Sequence, residues 1–446
     1  MSAPPVYRGP FGKSQAERLL WRAGFGPRKG EAEALGKLGL AGAVHRLTNP
    51  GGEHLVGPKP HDDKGHPLAP YSAWGDDHAW WLDRMVRTSR PLVERMTLIW
   101  HDWFATSTAG VGSQKLMLEQ NDLFRRRALG SFHDLLRDVT ANPAMLIWLN
   151  GLQNEKGSPN ENYGREMMEL FTLGADRDAY TETDVREQAR ALTGWDNRWK
   201  RGVGEYDFHF DSSRHDTGTK RVFGKKGDFD WRDAVDLCVA HPKHPSFFVQ
   251  KLWSYFVPTP PDHGTQASLE AVYRDGHQVK PVVAAILSHP TLYLGPRLMK
   301  PPIVHTAGLL RRLGMGITTT DWAWIGDLCG QQLFHPPNVA GWDDTRWLDT
   351  ATFRGRWYAV QRMLRDQTLD PQKAREPYDA KQLVARAVSF WDDPPLSEGT
   401  VYQLETFAKR ALGDAGNESW KQQQYPVLVQ NALRQLVAMS PDLQTA

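Results

Sequence analysis

Between Pro91 and Phe104 the apolar residues do not keep to one side of a helix. Leu92, Met96, Ile99 and Trp103 recur at helical spacing, and Trp100 and Phe104 widen that stripe until it nearly encircles the segment. A helix that is apolar almost all round has to be enclosed by other elements, and Pro91 suits its first turn. Helix signals elsewhere supply the enclosing layers. Residues 131–139 repeat the pattern with Phe132, Leu135, Leu136 and Val139 and stop at Asn142-Pro143. Ser14 with Glu17 predicts a capping box that opens the first helix, and further helices are predicted over 231–240, 247–256, 269–275, 279–287 and 304–314. The clearest strand is 206–211, where Tyr206, Phe208 and Phe210 alternate with Asp207, His209 and Asp211. The expectation is a mainly α protein, a multi-helix globular bundle with a small β-hairpin insertion near 206–229. Three regions are expected: an N-terminal helical region (1–150), a central one (151–365) carrying the hairpin and a Trp- and Pro-rich loop near 334–347, and a C-terminal one (366–446).

Composition narrows the function classes. Lys and Arg number 54 against 52 Asp and Glu, so no global field draws the chain to nucleic acid. Cys238 and Cys329 are the only cysteines and allow at most one bridge. No apolar run approaches the ~18 residues of a bilayer span, and the first residues lack a secretion signal. The expected location is the cytoplasm as written, or outside it if a native leader was removed. Gly12-Lys13-Ser14 lacks the upstream glycine of a phosphate loop because Tyr7 holds that place, and no dinucleotide fingerprint or nucleophile elbow occurs. No nucleotide cofactor is expected. Eighteen Trp provide core volume and also flat platforms for sugar rings.

Three groups of residues are able to carry chemistry. In the predicted helix opening at Ser158-Pro159, with Glu161 as its capping-box residue, Tyr163, Met167, Leu170 and Phe171 form the buried stripe and Glu166 lies at its edge. Glu166 is then an acid, a base or a metal ligand with a raised pKa, or else an ion-pair partner of Arg186 or Arg190. The second group is Asp207, His209, Asp211, His215 and Asp216, of which His209, Asp211 and His215 form a candidate Zn, Mn or Fe site. The third is His101-Asp102, where His101 faces away from the main stripe, toward either a second packed layer or a cleft. Asn162, Tyr163, Arg165, Trp342 and Trp347 are the candidate substrate contacts.

The phrases Ala16-Glu17-Arg18-Leu19-Leu20-Trp21-Arg22-Ala23-Gly24-Phe25-Gly26, Trp100-His101-Asp102-Trp103-Phe104, Asn162-Tyr163-Gly164-Arg165-Glu166-Met167-Met168-Glu169-Leu170-Phe171 and Pro336-Pro337-Asn338-Val339-Ala340-Gly341-Trp342 together resemble the domain of unknown function 1800 family. The resemblance implies a bacterial, helix-rich protein, often exported and often encoded beside an alkaline-phosphatase-like partner, and it implies no known reaction. Trp103 stands where a second His is common, which weakens a His-pair metal site. The export signal is also missing.

These readings lead to a hydrolase using Glu166, His101, His215 and Asp216, metal-assisted or carboxylate-based, on a polymeric and sugar-containing substrate. Two alternatives stand beside it: a non-catalytic accessory protein working with the alkaline-phosphatase-like partner, and a metal-dependent oxidoreductase.

Overall fold

In the computed structural model, which describes residues 3–416 and 418–446, helices dominate and the only extended structure consists of two short antiparallel hairpins and isolated bridges. The encircled helix is Pro91–Trp103, with proline in its first turn, and every residue of it except Asp102 is buried. It divides two apolar clusters. Leu92, Met96, Ile99, Trp100 and Trp103 pack with residues reaching from Tyr7 to Tyr293, while Leu98 joins Trp81, Phe334, Trp342 and the C-terminal Leu383, Leu433 and Val437. The clusters pass through the expected boundaries. Leu149 and Tyr163 share one, and Leu364 and Leu383 share the other.

Local chemistry sets many of the ends. Ser131 caps Phe132–Thr140 by accepting from the Asp134 amide at 3.2 Å, and Asn142 caps Pro143–Trp148. The first helix, Lys13–Arg22, starts earlier than expected. Its cap is Gly12, whose amide donates to the Gln15 side chain at 3.2 Å, and Glu17 is instead buried against Arg312. Ser158 opens no helix either. Glu155 and Ser158 form an isolated bridge, and the helix begins at Asn162, where the amide donates to Asn160 Oδ1 at 3.0 Å.

Past Asn162–Glu166 the helix widens into a π-helix, Met167–Thr172, which helical periodicity does not foresee. The strand at Gly204–Phe210 pairs with Trp195–Lys200, a partner absent from the sequence reading, and Lys220–Val222 pairs with Lys225–Gly227. Cys238 and Cys329 are buried free thiols. No helix among the described residues is long and apolar enough to cross a membrane.

Candidate functional site

The predicted site residues occupy three separate settings. Glu166 is half-buried, and burial followed by the nearby Glu169 raises its carboxyl pKa. It has no ion pair among the described residues. Arg186 approaches Glu161 at 3.6 Å and Arg190 holds Asp216 at 2.7 Å, so the expected Arg partners are engaged elsewhere. Arg165 donates to Glu182 at 2.7 Å and to Glu161 at 3.1 Å, and the Asn162 side chain donates to Asn150 at 3.0 Å. These are surface pairings that shape the chain locally. Tyr163 is core, 1 % exposed.

The ribbon residues likewise satisfy themselves. Asp211 accepts from Ser213, and its pKa is lowered by those bonds. His209 is exposed, with Nδ1 2.7 Å from the Asp207 carbonyl. His215 is buried, with Nδ1 2.9 Å from the Thr193 carbonyl and its ring 5.4 Å from Phe210. The guanidinium of Arg190 lowers the Asp216 pKa. Among the described residues no three His, Cys, Asp or Glu side chains gather as a metal site, so His209, Asp211 and His215 are not brought together. Carboxylates on an exposed ribbon take the nearest amide or hydroxyl instead, as at Asp211 and Ser213.

His101 meets a second packed layer, with ring centroids of Trp81, Phe334 and Trp342 5.3, 5.6 and 5.5 Å away. Burial, with a smaller contribution from His335, holds it neutral at a pKa of about 3, and its Nε2 has no partner.

Its neighbour Asp102 opens the more informative region, a cleft of about 430 Å³. Four chain segments build it: the Pro91–Trp103 helix through Arg95 and Asp102, the His244–Ser254 helix and the residues after it through Lys251 and Tyr255, the 298–301 stretch through Met299 and Pro301, and the 338–347 loop through Trp342 and Trp347. Both Asp102 oxygens are held, Oδ1 by the Trp342 amide at 2.9 Å and Oδ2 by the Tyr255 hydroxyl at 2.7 Å. Burial raises the Asp102 pKa against the pull of those two donors. Gly341 allows the loop to come this close. Its φ is +95°, and a Cβ there would stand 2.4 Å from Asp102 Oδ1.

Lys251 donates to the Leu170 carbonyl at 2.8 Å and sits 4.6 Å from the centre of the Trp103 ring. Burial pushes its pKa down to about 8 against the attraction of Asp102. The Leu170 carbonyl belongs to the last turn of the π-helix, as does the Phe171 carbonyl that accepts from Trp103 Nε1 at 3.1 Å. Carbonyls at a helix end lack intrahelical partners and are free to accept. The 158–174 segment thus reaches the cleft through its backbone, while Glu166 makes no bond to it.

Of the residues selected from sequence, Asp102, Trp342 and Trp347 line this cleft. Arg95, Lys251 and Tyr255 were missed, because nothing local marks a lysine on an apolar helix as the neighbour of an aspartate about 150 residues earlier.

A family described as "Protein of unknown function (DUF1800)" matches residues 18–445. No curated protein and no solved structure matches the chain.

Proposed function

The chain belongs to the DUF1800 family, whose description names no reaction, and on that premise we propose that it is a hydrolase of a polymeric, sugar-containing substrate acting at the Asp102–Lys251 cleft. The observation that carries this reading is the pairing, in one open cavity, of a carboxyl with a raised pKa and an ammonium whose pKa is lowered to about 8. An ammonium brought to about 8 gives up its proton readily near pH 7, and a carboxylate whose pKa is raised by burial takes one up more readily than a free one. Asp102 takes a proton from the attacking water while Lys251 gives one to the departing oxygen. Solvent then restores both groups. Trp347, half-buried at the cleft, offers a ring face for a sugar unit, and Trp342 is packed behind the wall against His101.

The test is release of reducing ends from a panel of polysaccharides between pH 6 and 9. Asp102→Asn and Lys251→Met are each expected to slow release by roughly 10²-fold or more, the usual scale for an acid or base, while remaining folded by circular dichroism. Unchanged release in both variants, or none from any polymer with the unmodified protein, overturns the reading.

A second reading is an accessory protein that works with an alkaline-phosphatase-like partner. Exposed Trp199, Val203 and Tyr206 on the first ribbon favour it. Co-purification with such a partner that survives in the unmodified chain and is lost in Trp199→Ser supports this reading.

A further inference from the structure

Arg95 and Glu94 are neighbours on the central helix, 3 % and 1 % exposed, and they differ in one respect. Glu94 is surrounded by donors: Trp81 Nε1 at 2.7 Å, Arg125 Nη2 at 2.7 Å and Arg125 Nε at 2.9 Å. The Arg95 guanidinium makes no hydrogen bond or ion pair with any described residue, and its Nε is buried without a partner. Burial lowers its pKa to about 10, and Tyr255 and Asp102 attract it without bonding to it; a buried cation with no direct partner is costly to a fold. Its side chain lines the cleft.

The rest of the wall shows the same imbalance. The indole nitrogens of Trp342 and Trp347 are buried donors without acceptors. Lys251 has one acceptor, the Leu170 carbonyl, for three ammonium hydrogens. The inner acceptors, by contrast, each hold a donor already, Asp102 Oδ1 the Trp342 amide and Oδ2 the Tyr255 hydroxyl, with one further lone pair on each oxygen. Asp344, also in the lining, is exposed, and its charge adds only the last and smallest contribution to the raised Asp102 pKa.

We infer that the cleft recognises an oxyanion carried on a sugar ring, a carboxylate or a sulfate or phosphate ester, with Arg95 as its principal charged contact. A guanidinium presents two parallel N–H donors that match such a group. Trp347 gives the ring a flat neighbour. This inference rests on the cleft being the functional site and does not require hydrolysis there.

Titration calorimetry and thermal shift decide it with three probes: an oligogalacturonate, a neutral oligosaccharide of the same length, and inorganic phosphate. The oligogalacturonate is expected to bind and to raise the melting temperature, and the neutral oligosaccharide to do neither. Phosphate is expected to bind more weakly than the oligogalacturonate. Phosphate binding as tightly assigns the anion to a free phosphate and leaves the role of Arg95 in place.

Arg95→Met is expected to weaken the anionic probe about tenfold or more. It is also expected to melt at or above the temperature of the unmodified protein without ligand, because it removes an unpaired buried charge. Arg95→Lys, which keeps charge without the fork, is expected to fall between. Equal binding of acidic and neutral oligosaccharides, or undiminished acid binding in both Arg95 variants, overturns the inference. Acid binding through Arg95 with no cleavage defeats the hydrolase reading alone. Cleavage of a neutral polymer that Arg95→Met leaves unchanged defeats this inference alone.

Discussion

The ribbon that runs from Trp195 through Asp216 and the cleft around Asp102 carry the same kinds of side chain, carboxylates beside cationic or ionisable nitrogens. Their surroundings separate them. On the ribbon, Asp211 bonds Ser213, Asp216 bonds Arg190, Asp207 pairs with Arg198, and the exposed His209 faces water. Around the cleft, Arg95 and the indoles of Trp342 and Trp347 have no acceptor, and Lys251 and Asp102 are displaced from their ordinary pKa values. The ribbon holds the denser cluster of metal-type ligands, yet the cleft holds the unmet interactions. Density of polar residues along a strand is therefore a weaker guide to a site than polar residues enclosed without partners.

The largest effect that sharpens this contrast is acid sensitivity of the enclosed region. His78, His101 and His244 are held near a pKa of about 3 by burial. Unfolded, each binds a proton below about 6.5, so the unfolded chain takes up more protons between 6.5 and 3, and stability falls as pH drops through that window. At pH 5 the loss reaches up to about 2 kcal/mol for each histidine. Urea midpoints at pH 7 and pH 5 measure it, and a flat profile breaks the contrast.

Next in size is Glu94→Gln, which leaves Arg125 facing a neutral amide in place of its buried partner. A loss of roughly 3–5 kcal/mol is expected in chemical denaturation, opposite in sign to the effect of Arg95→Met one residue along. If both variants destabilise equally, Arg95 has a partner and the cleft loses its distinction.

Lys251→Met comes third. A lysine at about 8 in the fold and about 10.5 unfolded makes the protein more stable as pH rises from 8 to 10.5, since the unfolded chain then binds the extra proton. The methionine variant is expected to be more stable at pH 7, by on the order of 1 kcal/mol, and to lack that rise. Melting curves across pH 7 to 10.5 test both points.

Glu166→Gln is expected to hold or gain stability, within about 1 kcal/mol, because it relieves a raised carboxyl beside Glu169 and strands no cation. A clear drop in melting temperature contradicts the unpaired setting of Glu166. The smallest effects belong to the ribbon, where His209→Ala is expected to stay within about 0.5 kcal/mol, as for exposed positions in general.

Much of the fold was legible in the sequence. The encircled stripe of Pro91–Trp103, the helix from 131 that stops at Asn142-Pro143, and the strand around Phe208 all depend on neighbours a few residues away. The misses were local rules overruled by distant contacts. Glu17 meets Arg312 instead of capping a helix, and Trp195–Lys200 is a strand because Gly204–Phe210 pairs with it. At the site, Trp342 and Trp347 were legible as aromatic residues on an irregular loop, and Asp102 as the carboxylate beside His101. Glu166, His101 and His215 had the right chemistry, but each makes its contacts with different neighbours.

By itself the sequence determined family, helical character and the need for a fully enclosed central helix, because apolar periodicity and capping are short-range and written in consecutive residues. Only the tertiary structure decided which polar groups are satisfied. Whether a buried arginine has a partner depends on side chains brought in by other helices and loops. Glu94 is met by Arg125 and Trp81, while its neighbour Arg95 is met by the open space of the cleft.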